Sequence, residues 1–111
     1  MIYGGIMKKK TKASGSLGDY QERLIESLKD PKEAETYLNV ALEDEDPQIF
    51  LIALRNVLEA QCGSLSVISK KTDLNRENLY RMLSKKGNPQ LKSMVALLNA
   101  AGMQLTISAR K

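Results

Sequence analysis

The residues best suited to chemistry in this 111-residue chain lie together, between Ser64 and Ser84. The stretch SLSVISKKTDLNRENLYRMLS divides into two short amphipathic segments hinged at Thr72-Asp73-Leu74. With Leu79 and Leu83 turned inward, the second segment presents Asn75, Arg76, Glu77, Asn78, Tyr80 and Arg81 outward. The guanidinium forks of Arg76 and Arg81 suit the O6 and N7 acceptors of guanine, and Glu77 suits the donor of cytosine N4. Asn75 and the helix's first amides suit a phosphate. Lys70, Lys71, Lys85 and Lys86 flank the pair where a nucleic-acid backbone would pass. Each phosphate so neutralised steepens the salt dependence of binding by about 0.9 log units. The layout is that of a helix-turn-helix over residues 64–84, whose second helix enters the major groove while the first crosses the backbone.

Composition narrows the alternatives. The chain has no His and a single Cys, which excludes a disulfide framework and a Cys/His zinc site within one chain. Imidazole-based acid/base catalysis is excluded with them. No phosphate-cradling glycine loop and no catalytic motif appears, so the chain reads as a non-enzyme needing no metal or cofactor. Cys62, just before Gly63, reads as a small half-buried residue at a helix end. The net charge of +4 conceals a division: residues 1–46 carry 7 basic and 10 acidic residues, residues 47–111 carry 10 and 3. Lys70, Lys71, Arg76, Arg81, Lys85, Lys86 and Lys92 concentrate the positive charge around the helix-turn-helix, an electrostatic footprint for phosphate.

The elements that must hold this surface read as helices. Leu17, Tyr20, Leu24, Ile25 and Leu28 recur at helical spacing. Asp30-Pro31 supplies a cap followed by Pro at the first helical position, and the next stripe is Ala34, Tyr37, Leu38, Ala41 and Leu42. Asp46-Pro47 repeats the signal before Phe50, Ala53, Leu54, Val57 and Leu58, with Ile49, Leu51 and Ile52 widening the stripe as in a central helix. Ser64 caps a fourth helix with Leu65 and Ile68 inward, and Asn75 caps a fifth that runs from Arg76 to Ser84. Asn88-Pro89 opens a sixth, with Leu91, Met94, Val95, Leu98 and Ala101 facing the core and Gly102 stopping it. Met103, Leu105 and Ile107 alternate with polar residues, so residues 103–108 read as a short C-terminal β-strand needing a partner strand from a second copy, another protein or the N-terminal arm. Residues 1–16, rich in Lys, Gly and Ser, read as a disordered basic arm, and residues 17–111 as one helical domain. Met7, directly before Lys8, Lys9 and Lys10, reads as a translation start. No apolar run reaches the roughly 18 residues of a membrane span, and a cytoplasmic protein is expected.

Two stretches, YLNVALEDEDPQIFLIALRNVLEAQ and ISKKTDLNRENLYRMLSKKGNPQLKSMVALLNAAGMQLTI, closely resemble the addiction-module antidote family, the HigA-like antitoxins of type II toxin–antitoxin pairs. The resemblance covers about residues 30–108. Its most specific parts are Tyr37-Leu38 through Asp46-Pro47, Leu79-Tyr80, and Gly87-Asn88-Pro89. It implies an all-α fold of five to six helices, a lambda-repressor-like helix-turn-helix domain carrying the short C-terminal strand. It also implies a small antitoxin that binds a RelE/ParE-type toxin and represses its own operon. Carried over by position, the family's DNA-reading surface falls on Asn75, Arg76, Glu77, Asn78, Tyr80 and Arg81. Asp73 stands where the family usually has a turn Gly, and Ser69 where a small Ala is common.

The partners expected are therefore operator DNA, a RelE/ParE-type toxin and a second copy of the chain as a homodimer, with no membrane. Residues 103–108 would pair across the two-fold axis. The region Asp30–Asp46, seven acids against one Lys, suits a basic toxin or simply forms a solvated turn and cap. Competing readings are a stand-alone phage-type transcriptional regulator without a toxin, and an interaction module whose hairpin never meets DNA.

Overall fold

The computed structural model describes residues 17–84 and 86–110. Six helices follow one another: α1 (Leu17–Ser27), α2 (Pro31–Leu42), α3 (Pro47–Cys62), α4 (Leu65–Thr72), α5 (Arg76–Met82) and α6 (Leu91–Ala100). The basic arm expected at residues 1–16 lies outside the described residues.

Capping chemistry sets most of the boundaries. Asp30 and Asp46 hold extended backbone, and their carboxylates accept from the amides of Lys32 (3.0 Å) and Gln48 (2.9 Å) while Pro31 and Pro47 open the helices. Each cap satisfies one of the amides a helix start leaves orphaned, a contribution of about 1 kcal/mol. At the other end of α3, Gly63 takes φ 91°, and its amide returns to the Glu59 carbonyl at 2.9 Å. α6 closes similarly. Gly102 has φ 79°, and the amides of Met103 and Gly102 bond the carbonyls of Leu98 (2.8 Å) and Asn99 (3.0 Å), the paired pattern of a Schellman stop.

α3 is the central element, as its broad apolar circumference predicts. It packs against α1, α2, α4 and α6, and buries Leu51, Ala53, Leu54, Val57 and Leu58. One core runs from Leu28 through Ala34, Leu38, Leu54, Leu58 and Ile68 to Leu79, Leu83, Leu97 and Ala101. Polar ties that the apolar pattern does not announce fasten the first helices to α3. Gln61 donates to the carbonyls just past α1, Leu28 at 2.8 Å and Lys29 at 3.1 Å. Asn56 donates to the Tyr37 hydroxyl (2.9 Å) and accepts from Gln21 (3.0 Å), linking α2, α3 and α1. No single helix among the described residues is long and apolar enough to cross a membrane. α3 and α4 together would be, but they are bent by 95° and their apolar faces form the core.

Three expectations need correction. Residues 103–110 form no strand, and no strand exists among the described residues. The alternation of Met103, Leu105 and Ile107 presupposes a neighbouring strand to hydrogen-bond, and the described residues provide none. Met103 instead follows the helix stop onto the core, while Leu105 and Ile107 stand exposed. The fold is therefore all-α. Second, α6 begins at Leu91 with Gln90 at the cap position and no side-chain cap bond, so Asn88-Pro89 belongs to the preceding loop. Third, α6 is rotated from the expected phase. Met94, Leu97, Leu98 and Ala101 face inward, leaving Leu91 at 69% and Val95 at 37% exposure. Leu42 and Tyr20, expected on inward stripes, are likewise exposed.

Candidate nucleic-acid interface

The turn between α4 and α5 is built from short side-chain bonds. Ser64 opens α4, its hydroxyl accepting from the Val67 amide at 3.3 Å. At the far end the Thr72 hydroxyl donates to the Ile68 carbonyl (2.7 Å) and accepts from the Leu74 amide (3.3 Å). Asp73 takes the left-handed conformation, φ 63° and ψ 25°, the only non-glycine positive φ among the described residues. The left-handed region favours Gly, and Asp is among the few residues that tolerate it. Ser69 has a role that its small size alone does not suggest: its hydroxyl donates to the Leu74 carbonyl at 2.5 Å, tying α4 to the turn. Both departures from the family pattern are thus accommodated within the turn itself.

α5 then leaves at an angle held by packing. Leu79 is fully buried, Leu83 nearly so, and Leu74 and Met82 pack partly against the core. The helix starts at Arg76, with Asn75 accepting from the Asn78 amide at 2.8 Å, and ends at Met82, two residues before the expected boundary. The hydroxyl of Ser84 donates to the Arg81 carbonyl at 2.9 Å, closing the last turn. The next loop depends on Gly87, where a Cβ would collide with the Met82 carbonyl.

These constraints gather the sequence-predicted residues on the outer face. Asn75, Arg76, Glu77, Tyr80 and Arg81 are exposed, with Asn78 half-buried between them. Lys70 and Lys71 are exposed in the last turn of α4, where the helix dipole also favours them, and Lys86 is exposed just beyond α5. Lys85 lies outside the described residues. None of Lys70, Lys71, Arg76, Arg81 and Lys86 is in an ion pair among the described residues, so their charge is available to an incoming anion.

Hydrogen bonding sorts the outer face by role. The Asn75 oxygen is committed to the cap, leaving its amide NH₂ as a donor. The Asn78 oxygen accepts from Arg81 Nη2 at 3.0 Å, which holds the guanidinium while leaving most of its five N–H donors outward. Asn78 therefore positions Arg81, whereas reading adenine would require its oxygen and nitrogen together. The structure adds Arg55, which sequence reading passed over. It is exposed on α3 and shares a groove of about 350 Å³ with Ser64, Ser66, Arg76 and Tyr80. A signal for it exists in retrospect: a lone cation inside the apolar run Ile49–Leu58.

A family model described as "Probable addiction module antidote protein" matches residues 21–109. A Haemophilus influenzae protein, described only as uncharacterized, is 29% identical over 84 residues, which cover 76% of this chain and 84% of the relative. No solved structure matches the chain.

Proposed function

The chain belongs to the addiction-module antidote family, and from that premise we propose that it neutralises a RelE/ParE-type toxin by direct binding and represses its own operon by placing α5 in the major groove of operator DNA. An antidote acts by binding its partner, and the chain is not an enzyme. The observation that carries the DNA reading is the outer face of α5: Arg76 and Arg81 project from a helix locked by Leu79 and Leu83, with unpaired lysines to either side. In this reading Arg76 and Arg81 contact base edges, with Glu77 and Tyr80 between them. Asn75, Lys70, Lys71, Lys85 and Lys86 hold phosphates. A homodimer would present two such helices to half-sites about 34–36 Å apart.

Gel shift against the chain's own upstream DNA tests this directly. Arg76→Ala and Arg81→Ala should each weaken binding by about 1–3 kcal/mol. Wild-type affinity in both variants would remove α5 from the interface.

A further inference from the structure

None of the residues lining a second groove is shared with the groove beside Arg76. It encloses about 390 Å³ where the α2–α3 turn meets the loop between α5 and α6. Leu42, Phe50 and Met94 supply apolar walls, Asp44 and Glu45 stand at its acidic side, and among the described residues no Lys or Arg lines it. Leu42 is 60% exposed, an unusual position for a leucine ending a core-facing stripe. Within the groove, Gln48 Oε1 is shielded from solvent and has no hydrogen-bond partner among the described residues. A buried acceptor in that condition is costly, and turning the amide outward to a partner's donor would relieve the cost.

We propose that this groove is the docking site for the toxin partner, receiving a basic segment of that protein that carries one large apolar side chain and donates a hydrogen bond to the Gln48 amide as it turns outward. The proposal rests on the antidote reading above and assigns it a surface. The apolar walls take the side chain, and the carboxylates of Asp44 and Glu45 meet the flanking Lys or Arg. Asp44 spends one oxygen on the Asp46 amide at 2.9 Å, which fixes the carboxylate in the turn and leaves the other for a partner. The charge also points to the class of ligand: Asp44 and Glu45, in no ion pair among the described residues, repel a phosphate backbone and attract a basic protein surface. Toxin and operator are thereby assigned to separate sets of residues.

The test uses the full chain and a purified RelE/ParE-type protein encoded beside it in the genome, the partner the antidote reading requires, with affinity measured by calorimetry. Leu42→Asp and Glu45→Lys alter exposed side chains and should each weaken binding about tenfold or more, a hot-spot effect. Gln48→Leu should weaken it as well while unfolding no more easily than wild type, since no protein bond is lost. Arg76→Glu on the reader should leave toxin affinity unchanged. Wild-type binding that survives all three groove changes, or that is lost with Arg76→Glu instead, overturns the groove assignment and leaves the antidote reading standing. No binding by the wild-type chain overturns both. Thermal unfolding of each variant establishes that a loss of affinity is not a loss of fold.

Discussion

The contact between Asn78 and Arg81 yields the sharpest test of how the outer face of α5 works. In the structure the Asn78 oxygen accepts from Arg81 Nη2 at 3.0 Å on an exposed surface. Such a bond adds little to folding, because water replaces it at small cost. Its value would lie in binding. An unrestrained arginine loses about 0.5–1.5 kcal/mol of rotamer freedom when immobilised at an interface, and a pre-held one has already lost part of it. Asn78→Ala should therefore weaken operator binding about two- to tenfold with little change in stability. The decisive measurement is the double-mutant cycle. If Asn78 acts only through Arg81, the Asn78→Ala, Arg81→Ala protein should bind no worse than Arg81→Ala alone, within the roughly 0.3–0.5 kcal/mol expected of independent sites. Quantitative gel shifts at fixed salt give all four affinities, and the salt must be held because phosphate contacts make every value depend on it. Additive losses, with Asn78→Ala costing as much in the absence of Arg81 as in its presence, would refute the reasoning and make Asn78 a base reader in its own right.

Two backbone positions give predictions on stability. Gly87→Ala forces a methyl against backbone atoms of Met82 and Arg81, which cannot turn aside as a side chain would; urea unfolding should show a loss of about 3 kcal/mol, and a loss below about 1 kcal/mol would mean that the loop relaxes freely. Asp73→Val places a β-branched residue at φ 63° and should cost about 2 kcal/mol, whereas Asp73→Asn should stay within about 0.5 kcal/mol of wild type; equal stability of the two variants would show that the left-handed turn is not strained by a branched side chain.

What was legible in the sequence follows the range of the interactions involved. The caps at Asp30, Asp46, Ser64 and Asn75 each bond an amide two or three residues away, so residue type and spacing suffice to place them. The left-handed turn at Asp73 is as local, set by the bonds among Ser69, Thr72 and Leu74. The phase of α6 is not. Apolar residues occupy positions 91, 94, 95, 97 and 98, enough for more than one face, and packing against α3 and α4 turns Leu97 inward and Leu91 out. The strand expected at residues 103–108 fails for a related reason. Alternation describes a half-buried strand once a sheet exists, but the sheet needs a neighbour that the described residues do not contain.

The two candidate surfaces divide along the same line. The reader is assembled from residues 70–86, close enough in the chain that one turn and two helices bring them together, and the charge of each side chain can be read directly. Even there, the division of labour became visible only with the geometry: Asn75 and Asn78 look equally suited to bases in the sequence, yet one oxygen is held by a helix cap and the other by an arginine. The second groove draws on residues 41–51 and 87–94, which meet only after α3 and α6 have packed. Each contributor has a sufficient local explanation: Asp44 as a turn former, Leu42 as the end of an apolar stripe, and Gln48 as a polar residue in the first turn of α3. Their conjunction, an exposed leucine and an orphaned amide oxygen beside two uncompensated carboxylates, has no such local explanation. A surface of that kind carries a cost in the isolated chain, and a docked protein partner would relieve it.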